Sequence, residues 1–176
     1  MASRGAALMG KAWGRPVLDE AARTDLDAMY RAIGPELWRS VYAYAAGRRD
    51  VADDSVAEAF AQAGGRMGQI RDLRAWLFRA AFRIAAGELK HRGSVATRFN
   101  DAGEAPRAPD EPAHELIELL RMLSPNQRGA LVLRDLYGYR SAEAGRILGI
   151  SEVAVRVHLH AAHRRLRGLL EEVGRT

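Results

Sequence analysis

The sequence predicts an all-α protein of two small helical domains joined by a flexible linker, the C-terminal one a helix-turn-helix. Apolar residues recur at helical spacing along most of the chain, and no segment alternates cleanly enough to be a strand. One segment, 93–112, carries three prolines and two glycines and separates two helical blocks. The 176 residues, 48% hydrophobic and 28% charged, are enough to bury two small cores.

The N-terminal block begins with a predicted flexible extension and one bent helix. Residues 1–21 have no sustained apolar period and contain three glycines and a proline. From Asp25 to Ala46 the apolar residues recur at helical spacing, and the Gly34 and Pro35 pair predicts a kink within that helix. We assign residues 22–92 to the first domain.

Two further helices complete this first domain. Asp50 is predicted to cap the second helix, and the glycine-rich run 64–69 is predicted to end it. The third helix extends from Asp72 to about His91 and has one apolar face. The residues expected to pack inward from it are Leu73, Leu77, Ala80, Ala81, Ile84 and Ala85.

The second domain, 113–172, follows the linker 93–112, which has too few large apolar groups to offset the entropy of ordering it. A short leucine-rich helix comes first. Ser124 is then predicted to form a capping box with Gln127, which would start the next helix, and Gly138 is predicted to stop it.

Residues 141–170 predict a helix-turn-helix. A short helix ends at Gly149, Ser151 can cap a longer helix, and Gly145 has no side chain to obstruct the close crossing. The longer helix has a cationic face that fits the major groove of DNA, although a solvated surface helix is the alternative. Base contacts are predicted for Arg156, and phosphate contacts for Arg164, Arg165 and Arg167.

Composition limits the function further. The net charge of +5 and pI near 10.1 favour a polyanionic partner, although proteins that bind no nucleic acid can carry such a charge. The absence of cysteine excludes disulfides and thiolate metal sites. No export signal or apolar span of about 20 residues is recognised, which predicts a soluble, cytoplasmic protein.

No enzyme motif is recognised, so neither catalysis nor a small-molecule substrate is expected, and no cofactor or metal. His160 and His163 have no nearby acidic or thiolate companion in the sequence. Contact with solvent or phosphate is therefore favoured over metal binding.

The stretch LSPNQRGALVLRDLYGYRSAEAGRILGISEVAVRVHLHAAHRRLRGLL, 123–170, closely resembles the DNA-binding domain of extracytoplasmic-function (ECF) sigma factors. MYRAIGPELWRSVYAYAAGRRDVADDSVAEAFAQA, 29–63, and RDLRAWLFRAAFRIAAGELKHR, 71–92, resemble their promoter-melting domain. The resemblance implies a subunit that binds bacterial core RNA polymerase and promoter DNA and answers to an inhibitory anti-sigma factor.

The resemblance also implies three functional surfaces. The minus-thirty-five surface would comprise Glu152, Ala154, Arg156, Val157, His160, His163, Arg164, Arg165 and Arg167. The minus-ten surface, which holds a displaced strand, would comprise Arg66, Arg71, Trp76, Arg79, Arg83, Lys90 and Arg92, although Trp76 is also a candidate core residue. Polymerase docking would use Asp53, Asp54 and Glu58, for which a solubilising role is the alternative.

Five positions depart from the family pattern: Ser55, Ala57, Gly64, Arg83 and Val157. They put docking strength and promoter specificity in question. Two alternatives remain at this stage. One is a stand-alone helix-turn-helix regulator, and the other is a sigma-like protein that binds polymerase without melting promoters.

Overall fold

A computed structural model describes residues 20–95 and 114–173, and the side chains of 23–91 and 114–172. Within those ranges the chain is helical and contains no strand, which confirms the predicted all-α class. A 3-10 turn spans Met67–Gln69 and a π-helical turn spans Val132–Leu136. The helices are α1 (Glu20–Tyr44), α2 (Arg49–Gly64), α3 (Leu73–Val95), α4 (His114–Arg121), α5 (Pro125–Leu131), α6 (Ser141–Leu148) and α7 (Glu152–Val173).

The first helix is continuous through Pro35, as predicted, and begins five residues before the expected Asp25. The predicted cap of α2 is wrong. Arg48 precedes that helix without a side-chain cap, and Asp50 lies in its first turn. An acidic residue still stabilises that position, because it lies beside the partial positive charge of the helix N-terminus.

The N-terminal core is built by α1, α2 and α3. Four of the six residues expected inward from α3 are buried, and Leu73 and Ile84 are half-buried. Phe78 and Phe82, which the apolar pattern did not single out, are almost completely buried. The helix continues to Val95, three residues into the predicted linker, and α1 begins at Glu20, within the last two residues of the predicted extension. Residues 1–19 and the remaining linker residues lie outside the described ranges.

The C-terminal block begins as its capping signals predict. The Ser124 hydroxyl accepts from the Gln127 amide at 3.4 Å, and the Gln127 side chain accepts from the Ser124 amide at 3.1 Å. This reciprocal pair satisfies two donors that a helix start leaves unpaired. The π-helical turn follows α5 directly, and Gly138 has a positive φ of 70° just beyond it.

The helix-turn-helix is formed by α6 and α7. A Cβ at Gly145 would lie 2.7 Å from the backbone oxygen of Ile150, which confirms that the crossing requires glycine there. Gly149 ends α6 in the left-handed region, and the Ser151 hydroxyl accepts from the Ala154 amide at 3.1 Å. The local signals in the sequence therefore form the motif they predict.

The two helical blocks pack directly against each other. Buried residues of both belong to one continuous hydrophobic cluster, to which α1 and α3 contribute from one side and α4, α5 and α6 from the other. The rings of Phe78 and Tyr139 lie 5.4 Å apart across this boundary. The Arg128 guanidinium also crosses it and donates to the Tyr44 carbonyl oxygen at 2.6 Å.

Candidate nucleic-acid interface

The face of α7 that was predicted to meet duplex DNA is open to solvent. Eight of its nine predicted residues are exposed and Ala154 is half-buried. The apolar residues Val155 and Ala162 are buried on the opposite side. Val157, one of the departures from the family pattern, is 60% exposed, so its apolar side chain lies on the outward face beside the charged residues.

Arg156 is held by its own helix. Its guanidinium lies 2.5 Å from a carboxylate oxygen of Glu152, one turn earlier. Both side chains are about half exposed, so the pair contributes little to stability. Its effect is geometric, because it orients the guanidinium along the first turn of α7, the part of a recognition helix that meets base edges.

The prediction that His163 has no acidic companion is wrong. Its Nε2 lies 2.5 Å from Oδ2 of Asp135, which the π-helical turn brings to α7 from 28 positions earlier in the chain. No cluster of three or more metal-ligating side chains occurs among the described residues. The pair therefore links the recognition helix to the preceding turn.

The predicted minus-ten face of α3 lies in a cleft. Trp76, Arg79 and Arg83 line it together, with a volume of about 400 Å³. Both arginines are exposed, and Trp76 is half-buried and packs against the core. The opposite wall comes from α6 and its turn, with Arg146, Ile147, Leu148 and Gly149.

The remaining minus-ten candidates are placed elsewhere along the same domain. Arg66, Arg71 and Lys90 are exposed, the first two beside the 3-10 turn before α3 and the third near its end. Arg92 lies within α3, and its side chain is outside the described set. The cleft therefore collects three of the seven predicted residues.

The three residues of α2 predicted to dock on polymerase, Asp53, Asp54 and Glu58, all face outward, as predicted, but they differ in their contacts. Asp53 accepts from the indole nitrogen of Trp38 at 2.7 Å and lies 3.8 Å from the Arg49 guanidinium. Glu58 accepts from the Gln62 side chain at 2.8 Å. Asp53 thus has a structural role between α1 and α2 in addition to its exposed charge.

Two departures from the family pattern lie in the core. Ser55 is completely buried, and its hydroxyl has no hydrogen-bond partner among the described residues. Gly64 is the last residue of α2 and is also buried. Ala57 and Arg83 are exposed. Of the four departures in the N-terminal domain, these two are therefore the ones that can contact a partner.

Sequence reasoning missed the polar contacts between the two blocks. Arg74 donates to the Tyr139 hydroxyl at 3.3 Å, and Arg121 donates to the Ala46 carbonyl oxygen at 3.1 Å. Their partners are as many as 75 positions away. No local pattern in the sequence signals a contact over that separation.

Among the described residues, no helix is both long and apolar enough to cross a membrane.

Comparison with known proteins identifies the family. The family model for sigma-70, region 4 matches residues 113–166, which include the helix-turn-helix. The chain is 31% identical to the ECF RNA polymerase sigma factor BldN of Streptomyces coelicolor, covering 90% of this chain and 66% of BldN. It is 30% identical to the ECF RNA polymerase sigma factor SigL of Mycobacterium tuberculosis, covering 85% of this chain and 90% of SigL.

A solved structure has the same fold. The sigma factor RpoE of Bartonella quintana, crystallised in complex with the anti-sigma factor NepR, superposes with a TM-score of 0.70 at 21% identity, covering 84% of this chain and 98% of that one. The helix-turn-helix, its sigma-70 region 4 match and the length of the SigL alignment agree. The chain belongs to the family of ECF RNA polymerase sigma factors.

Proposed function

We propose that this protein is a sigma subunit that binds bacterial core RNA polymerase and directs it to specific promoters. The observation that carries the proposal is α7, a capped helix presented by a glycine crossing, with an exposed cationic face. A helix of this kind can enter the major groove with its first turn against base edges. The chain spans only 66% of the length of BldN, so its role is argued from its own residues.

The C-terminal domain is proposed to read the minus-thirty-five element. Arg156 lies in the first turns of α7, where a bidentate contact to a base is feasible, and Arg164, Arg165 and Arg167 follow on exposed positions. Replacing Arg156 with alanine is expected to weaken binding to the cognate duplex by about 1–3 kcal/mol. Equal binding by the variant and the wild type would reject this assignment.

The N-terminal domain is proposed to hold the minus-ten strand and to dock on polymerase. Trp76 lines a cleft beside two exposed arginines, and single strands are held by aromatic rings that stack on bases together with cations that contact the backbone. Asp54 and Glu58 present exposed carboxylates on α2 that suit a basic partner. We propose that the domain with these roles spans residues 22–92 and that the DNA-binding domain spans residues 113–172.

The protein itself is proposed to catalyse no reaction, since the polymerase supplies the chemistry, and to act in the cytoplasm beside it. An inhibitory partner is also proposed. RpoE of Bartonella quintana, which shares the fold, is solved in complex with the anti-sigma factor NepR. A pull-down from the native cell, scored for polymerase subunits and for a small inhibitor, addresses both partners.

The decisive experiment is run-off transcription with core polymerase and the purified chain over a library of genomic fragments. Discrete transcripts that require the chain are expected. Binding to polymerase without any transcript would instead favour a sigma-like protein that cannot melt promoters. Binding to duplex DNA without binding to polymerase would favour a stand-alone regulator.

A further inference from the structure

The first two turns of α7 carry three valines at alternate positions, and only one of them packs inside the protein. Val155 is completely buried in the core, whereas Val153 and Val157 are each 60% exposed. Valine is a poor helix former, because its branched β-carbon loses rotamer freedom against the preceding turn. The two exposed valines therefore contribute little to the core or to the stability of the helix.

These two valines lie on the outward face of α7 among cationic side chains. Val153 and Val157 are one helical turn apart, and Arg156, His160 and Arg164 follow Val153 at spacings of three, seven and eleven residues. Side chains at such spacings lie on one face of a helix. All five are exposed, so the apolar pair shares its face with two arginines that attract an anionic partner.

One group in the major groove of DNA suits an apolar side chain. The base edges there present hydrogen-bond donors and acceptors, and thymine adds a C5-methyl group. A valine against a donor or acceptor removes its water without replacing the hydrogen bond, whereas a valine against a methyl group buries apolar surface. We propose that Val153 and Val157 contact thymine methyl groups and thereby select thymine in the minus-thirty-five element. The inference rests on the proposed function and adds a base preference to it.

Val153 is new to this surface. The surface implied by the family resemblance includes Val157, without a role of its own, and does not include Val153. The exposure of both valines on the same face as Arg156 gives that surface an apolar part and a polar part.

Helix geometry limits where the two thymines lie. Residues four apart are about 6 Å apart along a helix axis, and neighbouring base pairs are about 3.4 Å apart, so the two methyl groups belong to base pairs no more than about two steps apart. Either strand can carry them. Because the Arg156 guanidinium lies 2.5 Å from Glu152, it points toward the start of α7, and its base pair is predicted to lie beside that of Val153.

Charge and position favour duplex DNA over a protein as the partner of the two valines. An exposed apolar patch is often a protein-binding site. This one lies in the first turns of a helix presented by the Gly145 crossing, and that part of a recognition helix meets base edges. From Glu152 to Leu170 the helix has four arginines and one acidic residue, a balance that suits a polyanion.

Uracil tests the proposal one methyl group at a time, because it lacks the C5-methyl group of thymine and keeps the same hydrogen-bonding edge. Holoenzyme is assembled from core polymerase and the full chain, and its binding is measured on a fragment that it transcribes. Each thymine of the minus-thirty-five element, on either strand, is replaced in turn by deoxyuridine. Two thymines no more than about two steps apart are expected to matter, and each replacement is expected to weaken wild-type binding about fourfold.

Two valine variants connect each methyl group with one side chain. Val153→Ala and Val157→Ala are each expected to lose the sensitivity to uracil at one of the two positions and to keep it at the other. Leu170→Ala is the matched control, since Leu170 is an apolar residue of α7 that is 58% exposed and lies near the other end of the helix. It should keep the wild-type sensitivity at both positions.

The proposal is overturned if no thymine of the element is sensitive to uracil, or if both valine variants keep the full sensitivity of the wild type. Valine variants that bind more weakly by the same factor on thymine and uracil fragments also overturn it, because they have lost a contact with a protein rather than with a methyl group. Failure of wild-type holoenzyme to transcribe any fragment would instead overturn the proposed function. The two failures are distinguishable, because the methyl contacts are scored only on a fragment that the wild type transcribes.

Discussion

Arg128 joins the C-terminal block to the end of α1. Its guanidinium donates to the carbonyl oxygens of Tyr44, Leu120 and Leu123 at 2.6, 3.2 and 3.4 Å. Burial lowers the pKa of Arg128, and the nearby Tyr44 opposes that shift. A buried cation bound only to carbonyl groups is stabilised by those three bonds, so none of them is dispensable.

Arg128→Met tests this role, because methionine fills a similar space without donating. Unsatisfied buried acceptors cost about 1–3 kcal/mol each, so the free energy of unfolding is expected to fall by at least about 2 kcal/mol in urea titration. Arg31→Met, at an exposed position of α1, is the control and should change it by less than about 0.5 kcal/mol. A loss no larger than that of the control would show that the guanidinium is not structural.

His163 and Asp53 show what residue-level prediction misses. The resemblance to the family implies an external partner for each, and each also has an internal contact, to Asp135 and to Trp38 respectively. These partners are 28 and 15 positions away, beyond the reach of helical spacing rules. Arg156 differs, because its neighbour Glu152 lies four positions earlier on the same helix and is within that reach.

At the scale of elements, the helix-turn-helix is determined by a few local signals. Gly145 permits the crossing, Gly149 adopts the left-handed turn and Ser151 caps the next helix. All three could be predicted because capping and turn chemistry are local properties of the chain. The start of α2 could not, since Asp50 has a good capping side chain but the helix begins at Arg49.

Gly145→Ala is predicted to destabilise the C-terminal domain by about 1–3 kcal/mol, because the added Cβ meets the Ile150 oxygen at 2.7 Å. Gly168→Ala is the matched control within α7, where nothing lies within 4 Å of the added atom. It is expected to raise stability by about 0.5–1 kcal/mol through helix propensity. Melting temperatures that move in the same direction for both variants would contradict the crossing argument.

At the scale of the whole molecule, the packing of the two blocks was not predictable. The linker composition predicted two separate domains, and the sequence has no local mark for Arg74, Tyr139 or Arg121 as contact residues. Such contacts depend on where α3 and α6 meet in space. The fold class and the cationic face of α7 follow from periodicity, whereas the packing of the two blocks follows from the tertiary structure.

Three tyrosines near the boundary between the blocks make the stability of the fold sensitive to alkaline pH. Burial raises the pKa of Tyr44, Tyr137 and Tyr139 above the ordinary value of 10.0, and neighbouring arginines oppose the shift. Above that value the unfolded chain loses protons that the folded chain retains. Unfolding then releases protons, so the free energy of unfolding falls as pH rises past about 10.

Urea titrations between pH 8 and pH 11 check this expectation. Tyr137→Phe should reduce the alkaline loss of stability, because one raised pKa is removed. Tyr30→Phe, at a position 55% exposed, should leave the loss as in the wild type. If the free energy of unfolding of Tyr137→Phe falls with pH as steeply as that of the wild type, Tyr137 does not contribute to the alkaline loss of stability.

The most direct measurement of the central claim is footprinting of the holoenzyme on a fragment it transcribes, read together with permanganate reactivity of unpaired thymines. Wild type is expected to protect duplex near minus thirty-five and to unpair bases near minus ten. Arg156→Ala should lose the upstream protection, whereas the Arg79→Ala and Arg83→Ala double variant should retain it and lose the unpairing. The account would be contradicted if both variants gave the wild-type pattern, because neither the α7 face nor the α3 face would then contact the promoter.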